Sequence, residues 1–340
     1  MFFQKPVEQP HKTMKLLVNI EIPSSGGAKI LHTDPVMLIG SCFTQHIGNR
    51  LADLKFLTLQ NPNGILFDPQ SVCSSLVSYI QNKPAEPEDL FYLHELWQSW
   101  QHHSQFSGLQ QEEVLTGINQ ARTEAHAFLK KSRWLIITLG TAFSYRLQPT
   151  GEAVANCHRA PAQWFHKQLM EIDEISAGLQ VCLDQLHAFN EQLRIIFTIS
   201  PVRHIRDGVI ENNRSKARLI EAVHHVVQKY DYAHYFPAYE LVIDVLRDYR
   251  FYDIDLVHPN YAATEFVFNK FMESYTAPEI IPLLEEIKKI SAAFRHKPSH
   301  PTTTAHKKFQ DSMLLRINAL QQKHPYLDFS EEVRYFKGEK

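Results

Sequence analysis

Four apolar residues, Val36-Met37-Leu38-Ile39, stop at Gly40-Ser41 and give way to Phe43, Ile47, Leu51 and Leu54 at helical spacing. An unbroken apolar run fits a strand buried on both faces, the habit of parallel sheets, whereas a strand with one wet face alternates. The junction predicts strand, tight turn and helix, with the helix starting at about Cys42. Gly40 permits a turn that a side chain would obstruct. Ser41 falls at or beside the helix N-cap, where free N–H groups and the helix dipole favour negative charge. A serine that only caps a helix looks the same, so the weight of Ser41 depends on partners elsewhere in the chain.

The same punctuation recurs. Phe56 to Leu59 reads as a second strand, ended by the turn chemistry of Asn61-Pro62-Asn63-Gly64. Trp134 to Gly140 is the clearest strand, Leu193 to Ile199 closes in Ser200-Pro201, and Tyr235-Phe236-Pro237 is a short one. Helical patterns fall between them at Pro69 to Gln81, Glu112 to Lys131, Ser215 to Tyr230, Tyr239 to Arg247 and Pro259 to about Met272. Phe165, Leu169, Ile172, Ile175, Leu179, Leu183 and Leu186 predict one long helix, and Phe143 to Leu147 a hairpin arm. Strands alternating with helices indicate a parallel sheet covered on both faces. Ligands of such sheets bind at the C-terminal ends of the strands. Ser41, Gly64, Gly140-Thr141, Ser200 with Arg203 and His204, and Asp255 with His258 all fall there.

Three regions are expected: a lead-in over 1–30, with Lys15 to Ile22 an edge strand, the sheet domain over 31–276, and a helical extension over 277–340. The extension is expected to hold an amphipathic helix at Ser312 to Gln322 and then an irregular polar tail. Residues 82–110 interrupt the pattern with prolines and a cluster including Phe91, Trp97, Trp100 and Phe106. They form an excursion over the sheet edge, built as a small satellite core or as an aromatic cover for substrate.

A net charge of −2 over 340 residues offers no electrostatic footprint for nucleic acid or an anionic membrane. The four cysteines form no CxxC pair, against a disulfide framework or a cysteine zinc site. Adjacent histidines such as His102-His103 and His224-His225 do not face one way on a helix, so no metal is expected from them. The N-terminus lacks a signal-peptide pattern and no run is long enough to span a membrane, so a cytoplasmic location is expected.

A serine becomes a nucleophile through a base, and the base is held by an acid. Asp255 and His258 are three residues apart in a loop, close enough for the carboxylate to fold back onto the imidazole. Pro259 pushes His258 out of helical geometry and starts the next helix. Together with the Gly-Ser turn on the same edge, the pair points to a serine nucleophile, Ser41, served by His258 and Asp255.

Gly40-Ser41-Cys42-Phe43-Thr44 resembles the signature of the GSCFA-domain family, within the SGNH/GDSL-like hydrolase superfamily. The likeness continues through Asn156-Cys157-His158, Ser200-Pro201-Val202-Arg203-His204, Tyr235-Phe236-Pro237 and Asp255-Leu256-Val257-His258-Pro259, and spans about residues 35–310. It implies a three-layer α/β/α sandwich with a mostly parallel, flavodoxin-like sheet. It also implies Ser41 as nucleophile and Asp255 and His258 as acid and base. The superfamily's third block reads Gly-x-Asn, its asparagine donating to the oxyanion, but here Gly140-Thr141-Ala142 has alanine in that place. Thr141 or Asn156 is the substitute the sequence offers, with backbone N–H groups of Ser41 and Gly64 as further donors. Cys42, beside the serine, reads as a small buried hydrophobe.

His158, Arg203, His204 and Lys216 form an expected polar lining for a carboxylate, phosphate or sugar hydroxyl. Lys216 reads equally well as a solvated helix residue. The expected activity is hydrolysis of a small-molecule or carbohydrate ester with no cofactor and no metal. The rivals are acyl transfer by the same triad and a binding protein that has lost turnover. Oligomeric state is not encoded in any feature of the chain.

Overall fold

The computed structural model describes residues 18, 20–23, 27–296, 298–300 and 302–339. In chain order the first half carries β1 (Val36–Gly40), α1 (Cys42–Asp53), β2 (Thr58–Gln60), α2 (Pro69–Gln81), β3 (Phe91–Leu93), β4 (Leu96–Gln98), α3 (Gln111–Lys131), β5 (Trp134–Leu139), β6 (Phe143–Leu147), β7 (Ala153–Val154) and β8 (Phe165–Leu169). The second half carries α4 (Ile172–Phe189), β9 (Arg194–Ile199), α5 (Val209–Val227), β10 (Ala233–Tyr235), α6 (Ala238–Glu240), α7 (Tyr261–Tyr275), α8 (Ile281–Arg295), α9 (Thr304–Lys323) and α10 (Ser330–Lys337).

Five strands form one parallel sheet in the order β10-β9-β5-β1-β2. This is the flavodoxin-like order, in which the chain leaves β1 to one side and returns on the other, opening a crevice between β1 and β5. Val36 and Leu38 pack into one apolar layer with α1, α7 and α8, and Met37 and Ile39 into the opposite layer with α2, α4 and α5. Both faces of β1 are thus dry, which is why its sequence is apolar without alternation. Trp134 and Ile136 of β5 fall in the first layer while Leu135, Ile137 and Leu139 fall in the second. Helices cover both faces, giving three layers.

The structure departs from the sequence pattern in several places. Phe165 and Leu169 do not begin the long helix: they lie in β8, which pairs with β6, while β6 also pairs with β7 to make a small antiparallel sheet. A separation of four residues suits one face of a strand as well as one face of a helix, so the spacing alone was ambiguous. The helix starts at Ile172 behind a capping box of Glu171 and Glu174. The C-terminal tail is not irregular either. It forms α10, fixed by buried Phe329 and Phe336 and by an ion pair between Glu332 and Lys55 at 2.7 Å.

Among the described residues of Lys15 to Ile22, Val18 and Ile20–Ile22 adopt no regular structure; the rest of that segment lies outside the described residues. The excursion is a two-stranded hairpin, β3 with β4, over a satellite core of Ala85, Leu90, Val114 and Ile118, against which Trp97 and Phe106 pack.

Candidate active site

Gly40 ends β1 with a φ of +137°, and a β-carbon there would stand 2.1 Å from the Thr138 carbonyl oxygen of β5. Only glycine fits. The turn it allows brings Ser41 to the N-cap of α1, where the serine is fully buried. Ser41 Oγ has no hydrogen-bond partner, and it does not cap the helix.

Gly140, at the end of β5, is the second close approach. A β-carbon there would lie 3.2 Å from Phe67 Cδ1, 3.3 Å from His204 Nε2 and 3.3 Å from Ser41 Cβ. Serine and imidazole therefore flank one small space above Gly140. The His204 ring meets Phe67 edge-on at 5.5 Å, and its Nε2 is buried without a partner. Burial drives its pKa down to about 4, helped by the nearby charges of Lys216 and His258.

Asp255 and His258 organise each other. Asp255 Oδ2 lies 2.6 Å from His258 Nδ1, while Oδ1 accepts the backbone N–H groups of Val257 at 2.9 Å and His258 at 3.0 Å. These bonds, the His258 N–H first, bring the carboxyl pKa down to about 2. A short turn through Leu256, at a φ of +56°, closes the loop, and the Asp253 N–H donates to His258 O at 2.8 Å. With Nδ1 facing a carboxylate, the Nε2 lone pair is left for a proton. The pair is well exposed, its side chains 44% and 46% accessible for His258 and Asp255, so it is worth little to stability.

The Arg203 N–H donates to Val257 O at 3.2 Å, and its guanidinium lies over Tyr252 at 4.8 Å and Tyr249 at 5.5 Å. Arg203 thus braces the histidine loop against the segment carrying His204. No hydrogen bond joins Ser41 Oγ to His258. Such bonds are commonly long or unformed until substrate is bound.

Of the expected oxyanion donors, the two backbone N–H groups are engaged. The Ser41 N–H donates to Thr138 O at 3.0 Å and the Gly64 N–H to Asn61 O at 2.7 Å. Thr141 Oγ1 pairs with Ser215 Oγ at 3.1 Å and accepts the Phe143 N–H. Asn156 Oδ1 accepts the His158 N–H at 2.9 Å. Asn156 and His158 instead line a separate cavity of about 740 Å³ with His94, Gln98, His103 and Arg159, between the excursion and the β6–β8 connection. His103 packs against Gly64, where a β-carbon would come within 2.2 Å of its own, and Leu66 N–H donates to Gly40 O at 3.0 Å. The cavity therefore adjoins the segment that borders the Gly-Ser turn.

Two residues carry more than their sequence signal suggested. Lys216 is 1% exposed, not solvated, and its ammonium donates to Gly140 O at 2.6 Å and Ser200 O at 2.7 Å. It ties together the ends of β5 and β9. Burial pulls its pKa down to about 7, with Cys42 opposing the fall. Asn61, at a φ of +43°, turns its Oδ1 onto the Gly40 N–H at 2.8 Å and leaves its Nδ2 buried and unpartnered. An asparagine before proline signals a turn, and nothing further in the sequence separates this one from an ordinary turn residue.

Cys42 sits half-buried against the first apolar layer, and burial raises its pKa. Among the described residues no group of three or more His, Cys, Asp or Glu side chains is placed to hold a metal, and no helix is long and apolar enough to cross a membrane. No curated protein matches the chain at a significant level. A model of the C-terminal domain of GSCFA-domain proteins matches residues 287–339, and the model described as the GSCFA family matches residues 35–271. With most of its length covered, including the Gly-Ser turn and the Asp255–His258 loop, the chain belongs to the GSCFA family.

Proposed function

We propose that the protein is a serine esterase of the SGNH/GDSL-like type. Ser41 Oγ attacks the acyl carbon of an ester while His258 Nε2 takes its proton. The tetrahedral intermediate collapses as His258 returns that proton to the leaving alkoxide, and water reverses the sequence to free the acid and Ser41. Asp255 holds the ring tautomer and stabilises the imidazolium as it forms. No step calls for a cofactor.

The observation that carries this reading is the 2.6 Å Asp255–His258 contact in an exposed, self-bonded loop on the same sheet edge as Ser41. A surface pair contributes little to folding, and a loop with three hydrogen bonds onto one carboxylate is better explained by the need to aim Nε2. The polar cavity beside Gly64 is the natural place for the alcohol portion of the substrate, its lining of imidazoles, amides and hydroxyls suiting a hydroxyl-rich group.

Hydrolysis of p-nitrophenyl acetate tests the proposal. Wild-type protein releases nitrophenol with saturation kinetics, and Ser41→Ala does so only at the uncatalysed rate. Equal release by the two proteins would reject Ser41 as the nucleophile.

A further inference from the structure

Around the Gly40-Ser41 turn, Ser41 Oγ, Asn61 Nδ2 and His204 Nε2 are buried and without partners, as is Thr44 Oγ1 in the first turn of α1. Buried polar atoms are paired in the great majority of native structures, so a cluster of unpaired ones marks a place built for something else. The two nitrogens approach the turn from different sides. Asn61 reaches from the end of β2, anchored by its Oδ1 on the Gly40 N–H at 2.8 Å. That bond settles the amide's orientation and makes Nδ2 the free arm, which can only donate. His204 comes from the loop after β9, and its Nε2 shares the space above Gly140 with Ser41 Cβ.

The usual sources of an oxyanion site are spent or missing. The Ser41 and Gly64 N–H groups serve the Thr138 and Asn61 carbonyls. The third-block position after Gly140-Thr141 is Ala142, fully buried and with no polar side chain. We infer that Asn61 and His204 supply the oxyanion donors of this site, their side-chain N–H groups gripping the acyl oxygen as Ser41 adds to the carbon. The inference rests on the esterase reading above.

His204 suits the task as a neutral ring, since burial keeps it unprotonated at neutral pH. A neutral imidazole with its proton on Nε2 donates one hydrogen bond without placing a cation beside His258. The Asn212 side chain accepts the His204 backbone N–H at 2.9 Å and holds the loop in position. Phe67 fixes the ring face, and its carbonyl accepts the Gly140 N–H at 2.7 Å.

The test compares His204→Phe, His204→Gln and Asn61→Asp with the wild-type protein on p-nitrophenyl acetate, with thermal midpoints recorded for each. His204→Phe keeps a ring against Phe67 and removes the donor. His204→Gln keeps a donor near Nε2, and Asn61→Asp keeps the acceptor for Gly40 while removing the amide N–H. Expected are kcat losses of ~10²–10³ in His204→Phe and Asn61→Asp with KM little changed, the cost of one oxyanion donor where it has been measured. His204→Gln should retain most of the wild-type kcat. Wild-type kcat in both donor-deleted proteins, or a His204→Gln as slow as His204→Phe, would overturn the assignment while leaving the triad standing. A wild-type protein with no turnover would remove the esterase reading and this inference with it.

Discussion

The two halves of the site are built in opposite ways. The Asp255–His258 loop is exposed, and both carboxylate oxygens are engaged, by two backbone N–H groups and by the imidazole. The Gly40-Ser41 turn is buried and its backbone groups are bonded, but the side-chain atoms Ser41 Oγ, Asn61 Nδ2 and His204 Nε2 beside it have no partner. An exposed loop must bond to itself to hold one shape, because water competes for each of its groups. A buried turn is held by packing and by strand register, and can leave polar atoms open at about 1–3 kcal/mol each. On the esterase proposal, the acid–base pair is therefore complete before substrate arrives, while the surroundings of Ser41 are completed by the substrate.

Breaking the complete half should damage chemistry without damaging the fold. Asp255→Asn leaves the loop's shape but presents the wrong partner to Nδ1. In a serine-protease triad the equivalent change costs about 10⁴ in kcat, and a loss of that order is expected here. The thermal midpoint should stay at the wild-type value, because the side chain is exposed. A large drop in midpoint would mean that the loop is structural.

The buried half should respond the other way. Lys216→Met removes the ammonium from the Gly140 and Ser200 carbonyls and leaves both without a donor, at about 1–3 kcal/mol for each. Urea unfolding should register the loss as a lower midpoint with an unchanged slope. An unchanged midpoint would show that the clamp is dispensable. Gly140→Ala is subtler. Its methyl would crowd Phe67, His204 and Ser41 at 3.2–3.3 Å, so these groups must move by a few tenths of an ångström. Misplacement on that scale should cost roughly tenfold in kcat with the fold retained.

The smallest effect expected is on the pH dependence of stability. Burial lowers the pKa of His204 to about 4 and of His102 to about 3. Between these values and 6.5 the unfolded chain holds protons that the folded chain refuses, so stability rises with pH through this window and is lost as pH falls. His102→Gln should flatten that slope. An unchanged slope would show that other groups govern acid unfolding.

How far the chain could be read before its fold was seen follows from the same contrast. The central strands β1, β5 and β9 were legible because burial on both faces writes an unbroken apolar run. Helix α2 was legible to the residue, its Pro69 at the first turn behind an Asp68 cap. Strand β8 was hidden because Phe165 and Leu169 share a spacing that strand and helix both allow. Asp255 and His258 were legible as a pair because their contact is local.

Asn61 was not, and Lys216 was legible only as one of two readings, a polar lining of the sheet edge or a solvated helix residue. What matters in each is a contact with residues far along the chain, Gly40 for Asn61 and Gly140 for Lys216, that no short-range pattern records. Nor does sequence tell an isolated lysine on a helix whether water or two strand ends will receive it.

The central claim is that His258, aimed by Asp255, activates Ser41. Labelling with a fluorophosphonate followed by peptide mass analysis tests it most directly. The account predicts a single stoichiometric adduct on Ser41 of the wild-type protein, none on Ser41→Ala and a much slower reaction in His258→Ala with its fold intact. Undiminished labelling of Ser41→Ala, or labelling of His258→Ala at the wild-type rate, would contradict it.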